Sequence, residues 1–135
     1  MSAVTRWSRS AFNLVAWLFA ACCAIQVYLA GLGVFAGSSN FETHVNFGYM
    51  FGLLTLVLIV LAVLSRPGRR FVGAAVLLLV LFALQSVFIL LWKSSPPVGA
   101  AAALHPLNGF LITLVALWMA WTTRGYLRAK EPGPA

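Results

Sequence analysis

The chain alternates between four long apolar stretches and short polar breaks. Ala11 to Phe35, His44 to Leu64, Phe71 to Trp92 and His105 to Thr123 are near-continuous hydrophobic runs. At about 1.5 Å per residue, runs of roughly 20 residues predict helices that cross a hydrocarbon core of roughly 30 Å. The breaks carry turn chemistry: Gly37 to Thr43 reads GSSNFET, Ser65 to Gly68 reads SRPG, and Ser94 to Leu104 reads SSPPVGAAAAL. The first break is short enough to make spans one and two an antiparallel hairpin. Ser38, Ser39, Asn40 or Thr43 can cap the second span, and Glu42 suits the positive end of its dipole. Pro67-Gly68 stops that span, Pro96-Pro97 opposes a helix through the third break, and Pro106 fits the first turn of a helix starting at His105. The expected fold is all-α, a four-transmembrane-helix bundle forming a single integral membrane domain over residues 1–135.

Composition agrees with this pattern. The chain is 62% hydrophobic and 8% charged, where soluble domains carry about 25% charged residues. No segment remains for a soluble domain. The basic start and following apolar run resemble a secretory signal, with FAAC at Phe19 to Cys22 as a weak lipidation box. Hydrophobicity continues to Phe35, however, beyond the roughly 7–15 apolar residues of a signal peptide, so this stretch is expected to remain as the first span. Cys22 and Cys23 are adjacent on that helix, point about 100° apart, and read as small buried apolar residues.

The net charge of +7 does not indicate a nucleic-acid partner, because the basic residues flank the spans. Arg6, Arg9, Arg66, Arg69, Arg70, Arg124, Arg128 and Lys130 fall on one side, and Lys93 alone on the other. This asymmetry predicts a multi-pass protein of the plasma membrane with both termini cytoplasmic. Trp118, Trp121 and Tyr126 supply an aromatic belt on the same side, Trp92 and Lys93 mark the outer interface, and the tail from Glu131 to Ala135 is expected to be disordered.

A repeat emerges when the halves are laid together. Each contains a helix with a mid-membrane glutamine, an outer loop, and a helix that begins His-x-x-x-Gly and ends in arginine. Gln26 precedes His44 by 18 residues and Gln85 precedes His105 by 20. The halves share direction, which predicts a tandem repeat of two helical hairpins about an axis along the membrane normal. His44 and His105, the two histidines of the chain, then lie at equal depth on helices that can face each other diagonally. An ionisable group at the edge of a membrane span is a functional-site candidate.

Two imidazoles on facing helices suit the iron of a b-type haem, which takes one on each face of a flat macrocycle. His44 with Gly48 and Gly52, and His105 with Gly109 and Thr113, recur at four-residue intervals and form grooves of small residues. Gly48 and Gly109 would leave room for the ring edge. Propionates would point toward Lys93, Ser94 or Ser95. Asn46, Asn108 and Glu42 are candidates to orient an imidazole through its second nitrogen. The expected site is therefore haem b on His44 and His105, with Gly48, Gly109, Asn46 and Asn108 around it, passing electrons to quinone or a membrane redox partner.

On these residues the chain resembles a family of small, uncharacterised bacterial membrane proteins with four helices and one histidine at the start of the second and fourth. More distantly it resembles one four-helix half of haem A synthase, whose ligands match His44 and His105. That enzyme carries a glutamate about one turn before a ligand histidine, whereas Glu42 is two residues before His44. Its first outer loop often has a cysteine pair, absent here. The resemblance implies the haem architecture more than the chemistry of that enzyme.

Other readings use the same residues. Histidines at helix starts cap or sit at interfaces, the glycines of both grooves and of Gly33-x-x-x-Gly37 serve helix packing, and Gln26 and Gln85 act as interhelical hydrogen-bond groups or touch a quinone. The chain would then be a cofactor-free scaffold or accessory subunit. A divalent metal on His44 and His105 would need Glu42 as a further ligand. There is no P-loop, nucleotide fingerprint or Ser/His/Asp set, and with Glu42 and Glu131 as the two acids an acid–base hydrolase is not supported.

Overall fold

The computed structural model describes residues 2–94, 96 and 98–127. Ser95, Pro97, Arg128, Lys130 and the tail from Glu131, all named above, lie outside them. The described residues form five α-helices, α1 (Ala3–Phe35), α2 (Phe41–Gly52), α3 (Leu54–Ser65), α4 (Arg69–Trp92) and α5 (Gly99–Thr123), with short 3-10 turns at Ser38–Asn40 and Arg124–Leu127. Four helical stretches, Ala3–Phe35, Ser38–Ser65, Arg69–Trp92 and Gly99–Tyr126, are long and apolar enough to cross a membrane. The protein is thus an all-helical, four-span membrane bundle.

Three boundaries differ from the sequence expectation. First, α1 starts eight residues early, because the Ser2 hydroxyl accepts the Thr5 amide at 3.2 Å and caps it. Second, α5 starts at Gly99 rather than His105 and carries Pro106 inside it. The run from Gly99 to Leu104 is mostly alanine, the best helix former, and this outweighs the one backbone bond that Pro106 removes. Third, the second span is two helices. The Thr55 hydroxyl donates to the Gly52 carbonyl at 2.7 Å, and the Phe82 ring presses on Gly52 where no side chain stands in its way. Side-chain intrusion into the hydrogen-bond ladder beside a glycine is a standard cause of a helix break.

The interruption is a single residue, Leu53, whose backbone stays right-handed helical. α1 packs against α2, α3 and α5, while α4 packs against α3 and α5. Spans two and four therefore stand on one diagonal, and spans one and three on the other. At the arginine end, where α1 and α4 begin and α3 and α5 finish, the core is closed by Phe12, Phe19, Leu58, Phe71, Leu78 and Met119, all buried. Phe12 meets Phe71 edge to face at 6.2 Å between ring centres. Asn13 is wholly buried there and donates to the Ala120 carbonyl and the Thr123 hydroxyl, both at 2.8 Å. Arg9 Nε donates to the Ser65 carbonyl at 3.1 Å and so finishes α3. At this end Trp118 stacks on Phe71, Arg124 lies over Trp121, and Arg9 lies over Tyr126.

The linker between α3 and α4 reverses the chain in three residues. Arg66 takes a left-handed conformation at φ 47° and Gly68 has φ 117°, which ends one helix and starts the next without a side-chain cap.

The close approach at the break carries a prediction. Gly52→Ala places a methyl group against the Phe82 ring and should destabilise the bundle by about 1–3 kcal/mol despite the better helix propensity of alanine. The shift in unfolding midpoint on titration with sodium dodecyl sulfate measures it, and an unchanged midpoint would contradict the contact.

Candidate functional site

Toward the histidine end the helices line a half-open cavity of about 270 Å³, with residues from all four spans. Its floor is aromatic. Phe19, Phe51 and Phe82 meet edge to face, with ring centres 5.2 Å apart for Phe19–Phe51 and for Phe51–Phe82 and 6.3 Å apart for Phe19–Phe82. Phe51 and Phe82 line the cavity directly. Below this layer the packing is closed, and above it the cavity holds the polar groups: Gln26 from α1, His44 from α2, Gln85 from α4 and His105 from α5.

The two imidazoles come together. Their ring centres are 6.2 Å apart with planes inclined at 59°. His44 Nδ1 lies 3.1 Å from the main-chain carbonyl of Gln26, and His105 Nδ1 lies 3.2 Å from that of Gln85. A carbonyl oxygen can only accept, so each Nδ1 carries a proton, and in the neutral imidazole it is Nε2 that keeps the lone pair. The helix before each histidine thus fixes its tautomer and ring orientation, which is how ligating histidines are usually held.

Glutamine side chains complete the arrangement. Gln26 Nε2 donates to the His44 carbonyl at 2.8 Å and lies 3.2 Å from His44 Nε2. Gln85 Oε1 accepts from Asn108 Nδ2 at 3.0 Å, and that amide also donates to the Leu81 carbonyl at 2.7 Å. A methyl group on Gly48 would stand 2.9 Å from Gln26 Nε2, and one on Gly109 would stand 3.1 Å from Gln85 Nε2. The glycine one turn below each histidine therefore accommodates a carboxamide from the preceding span. This differs from open slots for a macrocycle edge, because a buried amide fills space and finds partners wherever lipid offers none. Gly52 likewise receives Phe82, and Gly33 receives the Phe41 ring.

The remaining candidates fall elsewhere. Asn46 is exposed and lies outside the cavity lining, and Asn108 is buried but holds Gln85 and not an imidazole. Glu42 is exposed in the first turn of α2 and does not line the cavity. The orienting role expected of these three belongs to main-chain carbonyls, which leave no trace in residue type. Asn40 makes no side-chain cap to α2. Lys93 lines the cavity at its upper rim and Ser94 does not. Cys23 also lines the cavity, and both cysteines are unpaired. Among the described residues no group of three or more His, Cys, Asp or Glu gathers as metal ligands. A divalent site built on His44, His105 and Glu42 is thus not formed.

Residues 26–91 match the model of a family of unknown function (DUF6220). The match begins at Gln26 and takes in His44, Gly48 and Gln85, but ends before His105 and Gly109. No curated protein and no solved structure matches the chain, and the likeness to a half of haem A synthase finds no support in these comparisons. What stands is a four-span membrane protein similar over this stretch to a family of unknown function.

The contacts predict unequal effects of filling the two glycines. Gly48→Ala must push Gln26 off two hydrogen bonds with His44 and should lower stability by about 1–2 kcal/mol. Gly109→Ala asks Gln85 Nε2 to yield a few tenths of an ångström and should cost less than half as much. Detergent unfolding midpoints of the two variants test the difference, and equal losses would contradict it.

Proposed function

We propose that the chain is an integral membrane protein that binds one b-type haem through His44 and His105 and transfers electrons. The observation that carries this reading is the pair of imidazoles, each held by Nδ1 on a main-chain carbonyl, with ring centres 6.2 Å apart. With metal–imidazole bonds of about 2.0–2.1 Å, two rings facing across one metal have nitrogens about 4 Å apart and centres roughly 6 Å apart. Neutral imidazole nitrogens are the donor set of a b-type iron; the His105 Nε2 has no hydrogen-bond partner among the described residues, and the His44 Nε2 would have to shed that of Gln26.

The rest of the cavity sets conditions on the fit. Its volume of about 270 Å³ lies just below the usual range of small-molecule sites, roughly 300–1,000 Å³. A macrocycle is accommodated only with the Gln26 and Gln85 carboxamides withdrawn, and Gly48 and Gly109 then supply the cleared space. Asn108 stays on the main chain of α4 and Asn46 faces outward, so neither touches the ligand. Lys93 at the rim suits a propionate carboxylate. Bound there, haem would supply a one-electron couple, and quinone or a membrane redox subunit is the exchange partner in keeping with a site set within apolar helices. The recurrence of Gln–His–Gly contacts in both halves supports the tandem-repeat reading. The arginines at the opposite end support a cytoplasmic placement of both termini in the plasma membrane.

A second reading, a cofactor-free scaffold or accessory subunit, is favoured by one contact. Gln26 Nε2 at 3.2 Å already engages the His44 lone pair, so the polar groups partly satisfy one another without a ligand.

Protein purified in mild detergent from cells supplied with haem precursor separates the two. Under the haem reading it shows a sharp low-spin α-band on reduction at about one haem per chain, and His44→Ala and His105→Ala each destroy that six-coordinate spectrum. Gly109→Leu loses the pigment while still inserting. A colourless, folded protein that takes up no added hemin would overturn the haem reading and leave the scaffold.

A further inference from the structure

With both carboxamides in their glycine slots, the cavity still measures about 270 Å³. An engineered apolar cavity of about 150 Å³ takes one benzene, so this space suits one substituted ring and is too small for two. Most of its lining is apolar. Phe51 and Phe82 form the floor, and Ile89 and Ile112 line it as well. Val27 and Tyr49 on the first two spans and Leu90 on α4 line the cavity and are exposed on the bundle surface. In a bilayer such residues meet hydrocarbon, and an apolar molecule reaches the cavity from the lipid.

The two glutamine–histidine pairs in the lining are not equally free. The first is spent on itself: Gln26 Nε2 donates to the His44 carbonyl and lies 3.2 Å from His44 Nε2, while Gln26 Oε1 is enclosed. In the second, Asn108 clamps Gln85 Oε1 and leaves Gln85 Nε2 beside Gly109. No hydrogen bond among the described residues reaches Gln85 Nε2 or His105 Nε2, and neither atom is fully enclosed. Gln85 Nε2 can only donate, and His105 Nε2 in the neutral imidazole can only accept, because Nδ1 gives its proton to the Gln85 carbonyl. Donor and acceptor are thus anchored on one residue. A hydroxyl is the small group that answers both. A ketone or carboxylate would set an oxygen lone pair against that of His105, and an ammonium has nothing to offer the amide.

We propose that the cavity is a binding site for a neutral, lipid-soluble phenol with a single ring. Its hydroxyl donates to His105 Nε2 and accepts from Gln85 Nε2. Its ring lies on the Phe51 and Phe82 floor, where offset and edge-to-face contacts favour an aromatic ring over an aliphatic one, and its apolar substituents extend past Val27, Tyr49 and Leu90 toward the lipid. This rests on the cofactor-free reading above, because haem needs both carboxamides withdrawn and fills the same space.

The test is equilibrium dialysis of the full-length protein in mild detergent against trimethylphenol, with empty micelles dialysed in parallel to subtract partition. Saturable binding at one site per chain is expected. Three matched ligands probe the chemistry in the parent protein itself. The methyl ether of trimethylphenol and trimethylbenzoquinone, which accept but do not donate, should each bind about tenfold more weakly, the effect of one hydrogen bond. Trimethylcyclohexanol, which keeps the hydroxyl and loses the aromatic ring, should also bind more weakly. His105→Phe should bring the affinities for the phenol and its ether together, a ratio that a general loss of stability would not move. Ile89→Phe fills the cavity and should abolish binding of all four. Equal binding of phenol and ether by the parent, cyclohexanol bound as tightly as the phenol, binding that survives Ile89→Phe, or a colourless folded protein with no saturable binding would each overturn the proposal while leaving the cofactor-free reading intact. A haem spectrum at about one haem per chain, recorded before any ligand is added, would overturn both.

Discussion

The hydrogen bond from each imidazole Nδ1 to a glutamine main-chain carbonyl is the contact on which the histidine half of the bundle depends. A carbonyl in a helix already serves the amide one turn on, but its second lone pair is free. In hydrocarbon no water competes for it, and an imidazole N–H without a partner would be costly. The contact therefore draws α2 onto α1 through His44 and Gln26, and α5 onto α4 through His105 and Gln85. Once the backbones are that close, the glutamine side chains have to lie across the facing helices. Gly48 and Gly109 are the positions that let them.

The opposite half supplies rigidity. Closed packing of Phe12, Phe19, Leu58, Phe71, Leu78 and Met119 leaves no room for movement, and Asn13 ties α1 to the end of α5 through two bonds. The break between α2 and α3 marks the boundary. Below it α3 packs on α4 as well as α1, while above it α2 packs mainly on α1. The polar groups of the cavity thus stand on a dense half whose packed elements hold them in place.

Within that frame the two halves are not identical. Each half carries a glutamine, a histidine and a glycine four residues after it, and among the positions that differ is Phe47 against Asn108, three residues after the histidine. That single exchange decides whether the glutamine is clamped away from the imidazole or rests on it. The stretch similar to a family of unknown function covers one half of this arrangement and the first glutamine-bearing helix of the other, so both glutamines fall within it but His105 does not.

The helical class, the four spans and the meeting of two histidines were legible in the residues themselves. Continuous hydrophobicity of bilayer length has few solutions other than a helix, and four such segments joined by short loops bring their ends into one bundle. Glutamine-to-histidine spacings of 18 and 20 residues, with the difference taken up in the outer loop, put His44 and His105 at one depth, and the structure brings their rings to 6.2 Å. α5 begins at Gly99 and not at His105 because the alanine run outweighs Pro106, and the interruption at Leu53 leaves no mark in the local sequence because Phe82, which packs on Gly52, comes from another helix. The orientation of the imidazoles could not be read at all, since every residue carries the carbonyl that does it. Asn46 and Asn108 looked equivalent by type, and only the turn of each helix sent one outward and the other against Gln85. The sequence by itself thus determined what must lie in the membrane and which polar groups share a depth, because hydrophobic length and helical period are local properties. The tertiary structure alone decided which atoms those groups present to the cavity, because that depends on partners supplied by helices distant in the chain.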